Sequence, residues 1–273
     1  MIRRVLLSLG FIPVLILVIY IEWLHNIFFF LFVLALSVLS VRELGIILGK
    51  MRHDGSRIRW LFLCLPGSIS ILLYFLNSFF MERYLAILYI TAYSTVIILA
   101  TVSVSFWFGG FFKSFFLHVL VYIYTGVFCI SLFEVRLSFG AVYVYFLFLL
   151  AWISDAGAYF IGTRFGKRKG IVRLSPNKSL EGYIASFLLT VAVAIGFKMM
   201  IPQKFPIGMK QTFSLGLMVA VLAPMGDLLE SWVKRRGRVK DSSKFLPGFG
   251  GVLDIFDSIL FTAPFYYVAL YLF

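Results

Sequence analysis

Apolar runs of about 20 residues recur along the 273-residue chain, and this pattern constrains the fold more than any other feature. A helix needs about 20 apolar residues to cross the roughly 30 Å hydrocarbon core of a bilayer. Nine such runs can be drawn, at about residues 5–22, 27–48, 59–80, 84–106, 115–133, 137–162, 183–201, 212–231 and 252–273. The sequence therefore predicts an all-α polytopic integral membrane protein with about nine transmembrane helices.

The composition and the amino terminus agree with this class. Hydrophobic residues make up 62% of the chain and charged residues 14%, whereas soluble domains average about 45–50% and about 25%. The first run follows basic residues, as in a signal peptide, but it is too long and no small-residue cleavage site follows, so a retained helix is expected. Cys64 and Cys129 lie in apolar runs without CxxC spacing, and neither a disulfide nor a metal site is expected from them.

Basic residues collect in alternate connections between the runs. The predicted loops 163–182 and 232–251 hold six lysines or arginines each, whereas only four lie in all the connections expected on the opposite side. Cytoplasmic loops carry such an excess, so the amino terminus is predicted in the cytoplasm and the carboxyl terminus outside. Residues 1–135 then form an amino-terminal region of about five spans, and residues 136–273 form a region with both basic loops, where the chemistry is expected.

The net charge of +13 does not indicate a nucleic acid partner. The basic residues sit in short loops between membrane spans, where they would face anionic headgroups or a phosphorylated substrate.

Acidic residues number only twelve, so each one can be considered. Seven cluster in the second half of the chain: Asp155, Glu181, Asp227, Glu230, Asp241, Asp254 and Asp257. An ionised aspartate near the centre of a membrane helix costs on the order of 2.5–3.5 kcal/mol, so such residues usually face a polar interior and mark function. Four of the seven fall inside or at the ends of apolar runs: Asp155, Asp227, Asp254 and Asp257.

Three acidic residues of the first half receive a simpler interpretation. Glu43 follows Arg42 near the inner end of the second run, where a local pair is expected. Glu22 and Glu134 lie in short connections, where solvated carboxylates are expected.

Helical spacing places several polar residues on common faces, because residues three and four apart are neighbours on a helix. The two groups are Asp254, Asp257 and Ser258, and Asp227, Glu230, Ser231 and Lys234. Converging carboxylates suit Mg²⁺, which takes oxygen ligands and keeps places for water and substrate phosphates. Lysine and arginine beside them suit the phosphates themselves. Salt bridges between helices, or protonated and hydrogen-bonded acids, would give the same spacing and stay open as alternatives.

A long segment, "GDLLESWVKRRGRVKDSSKFLPGFGGVLDIFDS" at 226–258, resembles the signature of the CTP:phosphatidate cytidylyltransferases, or CDP-diacylglycerol synthases. The family pattern runs Ser-x-x-Lys-Arg, Lys-Asp-Ser, Leu-Pro-Gly-His-Gly-Gly and Asp-Arg-x-Asp. It is matched in register by Ser231, Lys234, Arg235, Lys240, Asp241, Ser242, Leu246, Pro247, Gly248, Gly250, Gly251, Asp254 and Asp257. A second block at 154–182 resembles the other cytoplasmic motif of the family, so the resemblance covers roughly residues 150–273.

Two positions depart from the family pattern. Phe249 stands where the family has histidine, and Ile255 stands where it has arginine. Each change removes a polar group where a triphosphate or a phosphatidate headgroup is expected. A non-catalytic relative or one with an altered substrate therefore stays open as an alternative.

Other function classes fit the residues less well. A CTP-dependent polyprenol or phytol kinase also has acidic and basic cytoplasmic loops, but the intact Lys-Asp-Ser and Gly-Gly-x-x-Asp register disfavours it. A transporter is less favoured, because no inverted repeat is visible and the charges gather at the cytoplasmic rim instead of the bilayer midplane.

The resemblance implies a magnesium-dependent enzyme of phospholipid biosynthesis that makes CDP-diacylglycerol and pyrophosphate from CTP and phosphatidate. It implies a multi-pass protein of the cell inner (plasma) membrane, a homodimer, with its active site facing the cytoplasm.

The resemblance also implies roles for individual residues. Asp227, Asp254 and Lys234 are expected to be catalytic. Two Mg²⁺ ions are expected, and their ligands are assigned as Asp227, Asp254, Asp257 and Asp155. Substrate contacts are assigned to Arg235, Lys240, Asp241, Ser231, Lys178, Ser175, Glu181, Lys167, Gly250 and Gly251. The backbone N–H groups of the glycine-rich turn are expected to approach the negative charge of the CTP triphosphate.

Overall fold

The computed structural model describes residues 2–52, 57–80, 119–172, 174–176, 178–243 and 250–273, and these residues form eight helices and no strand. The helices are α1 Ile2–Tyr20, α2 Trp23–Arg52, α3 Arg57–Phe80, α4 Val119–Phe139, α5 Ala141–Phe165, α6 Leu180–Met200, α7 Met209–Arg236 and α8 Leu253–Leu272. Six of them, α2 and α4 to α8, are long and apolar enough to cross a bilayer. The predicted all-α polytopic membrane class is thereby confirmed.

The predicted runs match the helices in position, and only their ends differ. The run at 84–106 lies outside the described residues. Each other run corresponds to one helix, although the run predicted at 137–162 begins in the last residues of α4 and continues past Gly140 into α5. The helices α5 and α7 extend beyond their apolar runs, to Phe165 and Arg236, so the basic connections shorten to 166–179 and 237–252. Hydropathy marks where apolar residues end, whereas lysine and arginine continue a helix well and interact favourably with its carboxyl end.

The carboxyl-terminal helices pack in sequence, α5 on α6, α6 on α7 and α7 on α8, while α2 packs on α3 and α4. Small residues allow the close approaches, as is common where membrane helices meet. A methyl group on Gly157 of α5 would lie only 3.2 Å from the Cα of Ser186 on α6. The hydroxyls of Ser154 and Ser186 are hydrogen bonded across the same contact at 2.8 Å. The first basic connection therefore joins two helices that pack tightly against each other.

The helix α4 contains a π-helical segment at Ile123–Val127. Such a segment disturbs the regular backbone hydrogen bonds, and the freed groups need other partners inside a membrane. The hydroxyl of Ser37 on α2 donates to the carbonyl oxygen of Thr125 at 2.7 Å and supplies one of them. This bond also ties α2 to α4.

Charged side chains near the ends of the helices are less exposed than expected. Glu134 is buried, and its carboxylate accepts hydrogen bonds from Ser138 at 3.0 Å and Tyr267 at 3.2 Å, so the expectation of a solvated Glu134 is wrong. Glu22 is exposed but pairs at 3.2 Å with the buried guanidinium of Arg136. These contacts fix α4 against α1 and α8, because the short connections fold back onto the helix ends.

The contact between α7 and α8 gives the first testable prediction. A methyl group on Gly226 would lie 2.9 Å from the Asp257 carbonyl oxygen and 3.0 Å from the Ser258 Cα, both backbone atoms of α8. Gly226→Ala should therefore cost about 1–3 kcal/mol, the usual cost of overpacking, and lower the thermal unfolding midpoint in detergent. Gly196→Ala on α6 is the matched control, because nothing lies within 4 Å of its added methyl group. Equal midpoints for the two variants would contradict the close packing of α7 on α8.

Candidate functional site

Carboxylates from three helices meet near the contact between α7 and α8. Gly226 lets the two helices approach, and this brings Asp227 beside the start of α8. The carboxylate of Asp257 is buried and interacts electrostatically with those of Asp227, Glu230 and Asp155. Like charges this close destabilise one another unless cations or protons compensate them. The structure therefore brings together three of the four aspartates to which magnesium is assigned.

Lys178 supplies the first compensating charge. Its ammonium lies 2.5 Å from a carboxylate oxygen of Asp227, and both side chains are about one-quarter exposed. A turn in which the Lys178 N–H donates to the Ser175 carbonyl oxygen at 3.1 Å directs the chain toward α7. Burial lowers the pKa of Lys178, but the attraction and hydrogen bond of Asp227 more than offset this and raise the pKa overall. Lys178 is therefore a cation throughout the physiological pH range.

Lys234 supplies the second compensating charge and lies between two carboxylates. Its ammonium pairs with Glu230, one turn earlier on α7, and lies 2.6 Å from Asp254 Oδ1 on α8. Glu230 is buried, its Oε2 is paired with the Lys234 ammonium, and its Oε1 has no hydrogen-bond partner. Because a buried acceptor without a donor is costly, Glu230 depends on the charge of Lys234.

Asp254 joins α8 to the Lys-Asp-Ser segment that follows α7. Its Oδ2 accepts hydrogen bonds from the Ser242 N–H at 2.9 Å and the Gly251 N–H at 2.8 Å, and it lies 2.8 Å from the Ser242 hydroxyl oxygen. Gly250 has φ +94°, a conformation that favours glycine, and a Cβ there would lie 2.5 Å from Asp254 Oδ2. Gly250 is thus needed for the turn that this carboxylate organises.

Glu43 of α2 is the functional residue that the sequence interpretation missed. Its Oε1 accepts hydrogen bonds from the Val252 N–H at 2.9 Å and the Ser243 hydroxyl at 2.7 Å. Its Oε2 accepts from the Leu253 N–H at 2.9 Å and the Ser242 hydroxyl at 2.7 Å. The expected local pair with Arg42 is wrong, because residues i and i+1 do not face each other on a helix. The cost of a carboxylate inside an apolar run, the argument used for the aspartates, would have identified Glu43 too.

The backbone N–H groups of the turn before α8 donate hydrogen bonds to carboxylates of the protein itself. The N–H groups of Gly251, Val252 and Leu253 donate to Asp254 or Glu43. These amides lie at the start of α8, where a helix has no backbone acceptors of its own for its first N–H groups. In this structure the three amides contact the protein's own carboxylates, and the expectation that the N–H groups of the turn approach a ligand's negative charge stays a prediction.

Two cavities adjoin the cluster. A cavity of about 570 Å³ lies between α2 and the Lys-Asp-Ser segment, and its polar lining includes Arg42, Lys50 and Lys240 beside Glu43. An apolar cavity of about 340 Å³ lies between α6 and α7 and includes Tyr183 and Pro224. The first has the charge for an anionic ligand, and the second has the lining for a hydrocarbon chain.

The other expected site residues lie around these features. Lys167, Arg235, Lys240 and Asp241 are exposed, and Ser175, Ser231 and Ile255 are half-buried. Ile255 packs against the hydrophobic core, and Phe249 lies outside the described residues. Glu181 accepts hydrogen bonds from the N–H groups of Lys167 and Arg168 at 3.2 Å, so its carboxylate holds the backbone of the first basic connection.

The metal assignment has a limited basis in this geometry. Among the described residues, no three histidine, cysteine, aspartate or glutamate side chains are arranged to hold a metal ion. Both carboxylate oxygens of Asp254 already accept hydrogen bonds, and Asp227 is paired with Lys178. Around these pairs, however, carboxylates outnumber lysines, and Glu230 Oε1 lacks a donor. The donor chemistry therefore fits a hard cation whose other ligands come from water or a bound substrate.

The pair of Lys178 and Asp227 can be tested by a double-mutant cycle. Lys178→Met should lower the thermal midpoint, because it leaves Asp227 among other carboxylates without its cation. Asp227→Asn in the same chain should recover part of that loss, with a coupling energy of about 1 kcal/mol, since contacting residues couple by about 0.5–3 kcal/mol. Additive losses would show that the two side chains do not interact in solution.

Comparison with known proteins shows a family and several relatives. The model of the cytidylyltransferase family matches residues 2–273. The chain is 40% identical over 136 residues to the phosphatidate cytidylyltransferase of Bacillus subtilis, which is 50% of each chain. It is 39% identical over 141 residues to the protein of that name from Staphylococcus saprophyticus, which is 52% of this chain and 53% of the relative.

A phosphatidate cytidylyltransferase of Staphylococcus aureus is 37% identical over 141 residues. The chain thus spans about half the length of the curated relatives it matches. The family model, in contrast, covers nearly the whole chain, including the described carboxylate cluster and α2. The chain belongs to the cytidylyltransferase family.

Proposed function

We propose that this membrane protein is a phosphatidate cytidylyltransferase, which converts CTP and phosphatidate to CDP-diacylglycerol and pyrophosphate. The observation that carries the proposal is the pair of lysines, Lys178 and Lys234, held by a surplus of carboxylates at one end of α7 and α8. Family membership and the names of the relatives support the same reaction.

The reaction needs charge compensation and positioning more than proton transfer. An oxygen of the phosphatidate phosphate attacks the α-phosphorus of CTP, and the bond from that phosphorus to the β-phosphate oxygen breaks. Pyrophosphate leaves with the bonding electron pair. Phosphatidate is already anionic at neutral pH, so no general base is required. Catalysis of such a transfer rests on holding the groups in line and neutralising their negative charge.

The lysines can act by exchanging partners. In this structure Lys178 is paired with Asp227, and Lys234 with Glu230 and Asp254. Phosphate oxygens that bind the lysines would compete with these carboxylates and leave them uncompensated. The released carboxylates would then attract a cation. Nucleotide binding and cation binding are thereby coupled, with each one favouring the other.

Magnesium is the cation that this donor set fits best. Asp227, Asp257 and Asp155 would hold it, with Asp254 joining once Lys234 moves to a phosphate. When bound, Mg²⁺ would neutralise charge on the triphosphate and on the leaving pyrophosphate. Two ions remain the expectation from the family resemblance.

The two cavities fit the two substrates. The basic cavity beside Lys240 suits the triphosphate of CTP, since arginine and lysine favour phosphate. The apolar cavity suits an acyl chain of phosphatidate and shares Tyr183 with the Lys178 environment. The Lys178 ammonium lies 5.7 Å from the centre of the Tyr183 ring, so a headgroup at Lys178 would have its chain beside the apolar lining.

The charge pattern supports an orientation. The basic connections next to the site would face the cytoplasm, where CTP is made, in the inner (plasma) membrane of a bacterial cell. In this arrangement the amino terminus is cytoplasmic and the carboxyl terminus external. Association into a homodimer remains a prediction from the family resemblance.

One assay distinguishes the proposed reaction from its alternatives. Purified protein is incubated with phosphatidate, a lipid alcohol such as phytol, Mg²⁺ and CTP labelled either at the α- or at the γ-phosphate. Label should enter the lipid from the α-phosphate only, and Asp227→Asn should lower that transfer at least about 100-fold because a carboxylate at the reacting phosphates is lost.

The control is Glu134→Gln, a buried carboxylate that lies outside the cluster, which should retain activity. Transfer to a lipid alcohol from the γ-phosphate would indicate a kinase and contradict the proposal. Binding of phosphatidate without transfer of either label would indicate a non-catalytic relative.

A further inference from the structure

We infer that Glu43, in the amino-terminal half of the chain, is a positioning residue for the reaction proposed above, acting through Asp254 and Ser242. It is 3% exposed, and its two oxygens accept four hydrogen bonds. All four donors belong to the signature segment of the second half.

The four bonds hold two different elements together. Two of them come from the Val252 and Leu253 N–H groups at the start of α8, where a negative charge is stabilised by the helix dipole. The other two come from the hydroxyls of Ser242 and Ser243 in the Lys-Asp-Ser segment. Glu43 therefore sets the position of α8 relative to this segment, much as a capping residue would, but from a distant part of the chain.

Ser242 links Glu43 directly to Asp254. Its oxygen lies 2.7 Å from Glu43 Oε2 and 2.8 Å from Asp254 Oδ2. A serine hydroxyl has a single proton, so it cannot make a full hydrogen bond to both carboxylates at once. When Asp254 exchanges Lys234 for another cation, the hydroxyl can turn toward either carboxylate. Glu43 thereby keeps the Ser242 side chain in place while the partners of Asp254 change.

Two glycines show how closely α2 approaches the chain on either side of the Lys-Asp-Ser sequence. A Cβ on Gly251 would overlap both the Ser242 hydroxyl and the Glu43 carboxylate. A Cβ on Gly237, at the end of α7, would overlap Ile47 of α2. The helix α2, which carries Glu43, therefore packs closely against the chain both before and after the Lys-Asp-Ser sequence.

The test combines hydrogen exchange with kinetics in Glu43→Gln. Glutamine keeps the size of the side chain but presents an NH₂ group to donors that need an acceptor. In hydrogen–deuterium exchange, the amides of Val252 and Leu253, which donate to Glu43, should exchange at least about tenfold faster than in the wild type, because caps protect the first amides of a helix. The kcat for transfer of the α-labelled group should fall at least about tenfold, a loss in the range of one missing organising contact.

Glu134→Gln is the matched control, because it replaces another buried carboxylate that accepts hydroxyl hydrogen bonds. It should change neither the exchange of Val252 and Leu253 nor kcat, even if both variants lower the thermal midpoint equally. Ser242→Ala combined with Glu43→Gln should be no slower than the slower single variant, since both act on Asp254 through one path.

Two results would overturn the inference. Unchanged amide hydrogen exchange in Glu43→Gln would show that Glu43 does not hold the start of α8, whatever the value of kcat. Faster exchange with wild-type kcat would show a cap without a positioning role. A wild type without transfer activity would instead contradict the proposed function, and the exchange result would still decide whether Glu43 holds the segment.

Discussion

The arrangement of this site depends on compensating carboxylates that are removed from water. Asp254 illustrates the constraint, because each of its oxygens has a partner from another part of the chain, Lys234 on one side and the Ser242 and Gly251 groups on the other. In a membrane helix an ionised group without partners is costly, so the surrounding structure is fixed by the need to supply them. The turn before α8, the end of α7 and the inner end of α2 meet around this carboxylate.

A site assembled in this way is stable without a ligand and can still respond to one. Lys178 and Lys234 compensate the carboxylates in the described state. The same lysines are the residues that phosphate groups would attract, and the carboxylates they leave would attract a divalent cation. In the proposed function, contacts to the substrate and its cation would replace the internal ion pairs, so that neither state would leave these charges unpaired.

Much of this could be predicted from the sequence, because the relevant signals are local. Apolar length predicted the membrane helices, and spacing of three and four residues placed Asp254 and Asp257 on one face of α8. Contacts between distant segments could not be predicted in that way. Nothing near Glu43 in the sequence indicates that it receives amides from residues 252 and 253, and the pairing of Lys178 with Asp227 depends on how α5, α6 and α7 pack. The helix ends were also displaced, since basic residues extend α5 and α7 past their apolar runs.

The central claim is that the nucleotide and a divalent cation bind together because the cluster has more carboxylates than lysines. Equilibrium dialysis of labelled CTP, with Mg²⁺ and with EDTA, measures this most directly in the wild type and in Asp227→Asn. The wild type should bind CTP at least about tenfold more tightly with Mg²⁺, and Asp227→Asn should reduce this ratio by binding metal-free CTP better, because Lys178 no longer has a carboxylate partner to give up. Equal CTP affinity with and without Mg²⁺ in the wild type, or an unchanged ratio in the variant, would contradict the account.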